Sequence, residues 1–125
     1  MSVTVLKQGP LLIASLPAVL GDSEWQAFQE ELLRRAGQAG IKAGVVDLTA
    51  MDVIDSYASR TLRDLVQMLR LRGVQAVVVG IQPEVAFAMA QLGLTLKGVA
   101  TALDLEEALE GLKMDFWRGQ PGGQP

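Results

Sequence analysis

The residues of this chain whose types and spacing could support chemistry are Asp55 and Ser56, which follow an apolar strand pattern and a short loop. They open an amphipathic helical pattern, so we expect the serine hydroxyl where free backbone N–H groups and the positive end of a helix dipole converge. This position suits a phosphate group, either bound or covalently attached. The functional interpretation therefore depends on what Ser56 does.

The simplest role for the pair is helix capping, because Asp and Ser are both favoured at helix starts and one of them is sufficient. Two observations favour a further role for Ser56. The preceding loop, residues 52–54, contains apolar side chains that would anchor it to the body of the protein. The residues that follow are small and leave the helix start uncrowded: Ala58, Ser59 and Thr61.

The composition excludes several catalytic mechanisms. The chain has no histidine and no cysteine, which excludes Ser-His-Asp and Cys-His catalysis and disulfides within it and disfavours a zinc or copper site. No lysine has Ser-x-x-Lys spacing to a serine, and no Walker-type phosphate loop occurs. Asp47 and Asp55 could be a carboxylate pair for magnesium, but Asp47 is better explained as a strand-end residue that holds the loop. A serine that is a kinase substrate needs no base of its own, because the kinase supplies it.

Length and charge limit the class of protein. A chain of 125 residues predicts one domain, and its core must be aliphatic because it has only two tryptophans, one tyrosine and three phenylalanines. The net charge of −3 argues against a nucleic-acid-binding face. The first residues lack a signal-peptide pattern and no apolar run is long enough for a membrane span, so we expect a soluble, cytoplasmic protein without membrane or nucleic-acid partners.

Periodicity and turn signals predict the order β-β-α-β-α-β-α-β-α, with a short last strand. Strands are predicted at 3–7, 11–16, 43–48, 74–79 and 99–101, the first two forming an antiparallel hairpin. Helices are predicted to begin with Asp22 or Ser23 as N-cap, at Ser56, at Pro83 and after Asp104. The third helix is predicted to carry Val85, Phe87, Ala88 and Leu92 on its apolar face.

This order predicts an α/β fold, a mixed β-sheet flanked by about four helices. We expect one domain over residues 1–113 and a tail over 114–125 whose Gly- and Pro-rich end is flexible. Within the tail, Phe116 and Trp117 could dock on the domain or on a partner, and we expect the domain.

The motifs of the chain resemble those of the STAS family, the sulfate-transporter and anti-sigma-factor-antagonist domains. Residues 46–49 followed by 52–56 are similar to the strand, loop and Asp-Ser phosphorylation motif of that family. Residues 73–86 are similar to the strand-helix junction of its bacterial stressosome scaffold branch, and the similarity continues through 92–94 and 101–106. The resemblance covers nearly the whole chain.

The resemblance implies a non-enzymatic scaffold that binds no cofactor of its own. Such scaffolds form homodimers and assemble with larger RsbR-like paralogues, and the assembly sequesters an RsbT-like serine/threonine switch kinase. Stress leads the kinase to phosphorylate the scaffold serine with ATP and to leave, and a dedicated phosphatase resets it. On this chain Ser56 is the implied acceptor and Asp55 its acidic neighbour. Asp52, Ser59 and Thr61 are secondary candidates for the kinase-binding surface, the last two also for modification.

Other functions stay open at this point. The chain could be a standalone antagonist of an anti-sigma kinase or an accessory subunit of a lipid-transport complex, both within the same family. A small ligand-binding or hydrolytic domain that uses the loop before Ser56 is a third possibility, although the absence of histidine and cysteine weighs against hydrolysis. We also expect self-association through an apolar helix-sheet face.

Overall fold

The computed structural model describes residues 3–112 of the chain. It begins with a hairpin of β1 (Thr4–Gln8) and β2 (Leu11–Ser15), paired antiparallel. The turn passes through Gly9, whose φ of 59° lies in the left-handed region that glycine adopts without a steric cost. The hairpin predicted from the two β-prone runs and the Gly-Pro turn is confirmed.

Seven further elements follow the hairpin and complete an alternating α/β order. They are α1 (Asp22–Ala36), β3 (Ala43–Asp47), α2 (Ser56–Leu71), β4 (Gln75–Val79), α3 (Pro83–Gln91), β5 (Ala100–Ala102) and α4 (Leu105–Leu112). The five strands form one sheet in the order β1-β2-β3-β4-β5, and β2 to β5 run parallel. The predicted fold class, a mixed sheet with about four helices, is confirmed.

The two faces of the sheet are covered unequally. The larger core lies beneath α1, α2 and α3, where Phe28, Leu62 and Val78 are almost completely buried. On the opposite face α4 packs across β3, β4 and β5, with Ala108 and Leu112 against the strands. Because β3 is covered on both sides, its residues are apolar almost throughout, as expected for an inner parallel strand.

Two local predictions differ from the structure. The N-cap of α1 is Gly21, not Asp22 or Ser23, and the Glu24 carboxylate accepts a hydrogen bond from the Gly21 N–H at 2.9 Å. This is the half of a capping box that needs no N-cap side chain, so a glycine can begin the helix.

The apolar face of α3 is also narrower than its composition suggested. It buries Val85 and Met89, one turn apart, whereas Phe87, Ala88 and Leu92 are exposed. The short helix contacts the body along one i, i+4 ridge, so its other apolar residues point outward.

The parallel arrangement places the helix starts together. The carboxyl ends of β2, β3 and β4 lie at one edge of the sheet, and α1, α2 and α3 begin from that edge. We call it the carboxyl edge. Within residues 3–112 no helix has the length and apolar character needed to cross a membrane. The domain end at 113, the tail 114–125 and its Phe116 and Trp117 lie outside the described residues.

Candidate functional site

The structure assigns different positions to Asp55 and Ser56, either of which could have capped the helix. Asp55 is the N-cap of α2, with extended backbone, and its Oδ1 accepts a hydrogen bond from the Ala58 N–H at 2.8 Å. Ser56 is the first residue of the helix and is exposed. Within the described part of the chain, its hydroxyl makes no hydrogen bond, although its carbonyl accepts one from the Ser59 hydroxyl. The capping function is therefore fulfilled by Asp55, and the Ser56 hydroxyl is free for another use.

The two other serine and threonine residues in the first turns of α2 are buried. Ser59 is 2% exposed and Thr61 is 7% exposed. The Ser59 hydroxyl donates to the carbonyl of Ser56 at 3.2 Å, one turn back along the helix. Because phosphorylation requires the hydroxyl to reach a kinase active site, this burial disfavours Ser59 and Thr61 as acceptors. Of the three hydroxyl residues singled out from the sequence, only Ser56 is presented to solvent.

The loop from Leu48 to Asp55 is held against the body at several points. Met51 and Ile54 are buried, and the Asp52 N–H donates to the carbonyl of Ala18 in the connection before α1 at 3.1 Å. The sequence indicated that residues 52–54 would supply apolar anchors, but Val53 is 67% exposed and only Ile54 serves in this way. The Asp52 side chain is exposed on the same segment as Asp55.

Asp47 ties the end of β3 to the loop, as its position at the strand end predicted. Its Oδ1 accepts hydrogen bonds from both the N–H and the hydroxyl of Thr49, at 2.9 and 2.6 Å. The carboxylates of Asp47 and Asp55 are thus each engaged by a neighbouring donor. Across residues 3–112 there is no group of three acidic side chains placed to hold a metal ion.

Two residues at this edge were not identified from the sequence. The Gln82 side-chain amide donates to the carbonyl of Thr49 at 2.8 Å, and Gly80 lies against the Thr49 side chain with a φ of 78°. A Cβ on Gly80 would overlap Thr49 Oγ1 and lie 3.2 Å from Asp47 Oδ1. The run Gly-Ile-Gln-Pro after a strand predicts a turn and a helix start, but it does not indicate which loop lies opposite.

The loop that leads to Ser56 is acidic, whereas the helix that Ser56 begins is not. Residues 43–59 contain no lysine or arginine, and Asp52 and Asp55 are exposed within them, but Arg60 is exposed one helical turn after Ser56. The neighbouring helix starts at the carboxyl edge add Glu24 on α1 and Glu84 on α3. A phosphate on Ser56 would be favoured by the α2 dipole and would increase the negative charge of the whole edge.

The five-stranded fold and its Asp-Ser helix start define an α/β domain of one known family. The STAS domain model matches residues 3–108, and the chain belongs to the STAS family. The resemblance drawn from the motifs is confirmed.

Relatives of the chain include proteins of the stressosome. A serine-to-glutamate variant of RsbS from Moorella thermoacetica is 36% identical, with a TM-score of 0.74 over 90% of this chain and 96% of that one. A structure of the stressosome, described as a signal integration and transduction hub, contains a chain that is 37% identical, with a TM-score of 0.71 over 88% and 96% of the two chains.

A curated relative is the RsbT co-antagonist protein RsbRC of Bacillus subtilis (strain 168), 32% identical over 82 residues. The match covers 66% of this chain but only 29% of RsbRC, so the chain corresponds to less than a third of that relative. The similarity to RsbRC therefore concerns a domain of a longer protein.

Proposed function

We propose that this chain is a stressosome scaffold subunit that sequesters an RsbT-like serine/threonine kinase and releases it when Ser56 is phosphorylated. The observation that carries the proposal is the division of roles at the start of α2. Asp55 satisfies the Ala58 N–H at 2.8 Å, which leaves the adjacent Ser56 hydroxyl exposed at the helix N-terminus. A hydroxyl needed only for capping would be engaged with the backbone.

The similarities support the same function. The match to RsbS extends over nearly all of both chains at 36% identity. RsbRC is named as a co-antagonist of RsbT, so a related domain is expected to meet the same type of kinase. We infer that the chain forms homodimers, co-assembles with RsbR-like paralogues and is dephosphorylated by a dedicated phosphatase.

The chemistry assigns the chain the role of substrate rather than enzyme. The Ser56 Oγ attacks the γ-phosphorus of the ATP held by the kinase, the bond from that phosphorus to the β-γ bridging oxygen breaks, and ADP leaves. The serine proton passes to a base on the kinase, because the chain has no histidine and, within residues 3–112, the Ser56 hydroxyl makes no hydrogen bond to a carboxylate or an amine.

Release follows from the charge that this step adds. A phosphoserine carries about −1.5 to −2 charges at neutral pH, directly after Asp55 and on the same exposed segment as Asp52. The N-terminus of α2 stabilises this charge, so the scaffold keeps its fold. A kinase surface docked over the same edge meets a new anion at close range, and a tenfold loss of affinity requires only about 1.4 kcal/mol.

The test is phosphosite mass spectrometry after incubation with an RsbT-like kinase and ATP. We expect one phosphate on Ser56 in the wild type, none in Ser56→Ala, and an unchanged level in Ser23→Ala. Ser23 is the matched control, because it is an exposed serine in the first turn of α1. Equal phosphorylation of Ser56→Ala and wild type would refute the assignment of the acceptor.

Kinase retention on the immobilised scaffold tests the release step. We expect Ser56→Asp to retain at least tenfold less kinase than Ser56→Ala. Equal retention would contradict release by charge. Binding of an anti-sigma kinase without co-assembly with a paralogue would favour the standalone antagonist instead.

A further inference from the structure

The side chain of Gln82 contacts a loop other than its own. Gln82 is the N-cap residue of α3, with φ −64° and ψ 142°, yet it makes no side-chain capping bond to that helix. Its Nε2 donates instead to the carbonyl of Thr49 at 2.8 Å, across a sequence separation of 33 residues. Thr49 belongs to the loop 48–55, which ends at the cap of α2.

Backbone contacts next to the Gln82–Thr49 hydrogen bond also hold the loop 48–55 close to the start of α3. The Leu48 N–H donates to the carbonyl of Val79 at 2.9 Å, which extends the pairing of β3 and β4 beyond the strands. Gly80 then packs against Thr49 without a Cβ to separate them, and its N–H donates to the carbonyl of Ala102 at 3.2 Å. The start of α3 is therefore supported by β5 on one side and directed toward the Ser56 loop on the other.

We propose that Gln82 is a positioning residue for Ser56, which fixes the loop 48–55 through Thr49 and links it to the start of α3. The proposal rests on the proposed function, because a positioned hydroxyl matters where a kinase must align it with ATP. The loop has other restraints in buried Met51 and Ile54 and in the Asp52 N–H. Loss of the Gln82 bond therefore loosens the loop and leaves the fold intact.

The first test is amide hydrogen exchange on Gln82→Met, which keeps the approximate size of the side chain and removes the donor. We expect the Thr49, Met51 and Asp52 amides to exchange roughly three- to tenfold faster, the scale of one hydrogen bond. Amides of β3 and β4 keep their rates. The control is Gln91→Met, an exposed glutamine at the other end of α3 whose side chain makes no hydrogen bond within residues 3–112.

The second test is the rate of Ser56 phosphorylation by the RsbT-like kinase at saturating scaffold. We expect a several-fold lower rate for Gln82→Met, with kinase retention and the urea unfolding midpoint close to wild type. If Gln82 instead contributed to the stability of the whole domain, Gln82→Met would lower the urea unfolding midpoint. Unchanged exchange in the loop, or equal phosphorylation rates for Gln82→Met and Gln91→Met, would overturn the proposal. If the wild type itself is not phosphorylated on Ser56, the proposed function fails, while the exchange result still decides whether Gln82 holds the loop.

Discussion

Replacement of Asp55 separates the capping role of the carboxylate from its charge. Asp55→Ala removes the acceptor of the Ala58 N–H, a hydrogen bond of 2.8 Å at the start of α2. Loss of an N-cap costs about 1 kcal/mol, within a range of about 0.5–2 kcal/mol. For a domain of this size, that loss corresponds to a decrease in Tm of about 4 °C.

Asp55→Asn is the matched variant, because an amide oxygen caps a helix about as well as a carboxylate. It loses only the attraction between a negative charge and the helix dipole, about 0.5 kcal/mol. We therefore expect the stability order wild type, Asn variant, Ala variant. Urea unfolding followed by circular dichroism measures the three free energies under one set of conditions.

The result also bears on Ser56. If Asp55→Ala is as stable as the wild type, Asp55 is not the effective cap and the argument that it frees the Ser56 hydroxyl fails. If the Asn variant is as unstable as the Ala variant, the charge and not the hydrogen bond stabilises the helix start. Either outcome would refute the division of roles between the two residues.

Two further predictions concern burial. Ser59→Asp should destabilise the protein far more than Ser56→Asp. Ser59 is 2% exposed, so an unpaired charge there loses its hydration, whereas Ser56 is exposed at a helix start. Similar urea unfolding midpoints for the two variants would contradict the inward orientation of Ser59. Leu62→Ala should lower the free energy of unfolding by about 2–5 kcal/mol, because Leu62 is fully buried. Leu71→Ala, at a residue that is 88% exposed, should change it by no more than about 0.5 kcal/mol. Comparable losses of stability in thermal unfolding would show that the core is not packed as described.

Most of the local elements were predictable because their signals lie within a few residues. The bounds of α2, Ser56–Leu71, follow from the Asp-Ser start, the apolar period and the glycine after it. The hairpin follows from a Gly-Pro turn between two β-prone runs. The predicted role of Asp47 at the end of β3 also agrees with the structure. The role of Ser56 as a phosphate acceptor remains a prediction.

The predictions for the N-cap of α1 and for the buried face of α3 were wrong, because in each case several residues could occupy the same position. Gly21 begins α1 although Asp22 and Ser23 have better capping side chains, because Glu24 supplies the contact instead. The outward position of Phe87 was not predictable from composition, because α3 is apolar on more than one side and only its packing selects the buried ridge. In both cases several local solutions have similar free energies, so context decides among them.

The sequence by itself determined the order of the elements, the family and the place of the Asp-Ser pair at a helix start, because each depends on short-range pattern. Only the tertiary structure decided that Asp55 rather than Ser56 caps α2, that Ser59 and Thr61 turn inward, and that Gln82 reaches Thr49. The last contact joins residues 33 positions apart, and it exists because the register of β3 against β4 brings the ends of both strands to one edge. The pairing of β3 with β4 depends on how both strands pack in the sheet, so neither segment by itself specifies a side-chain contact between their ends.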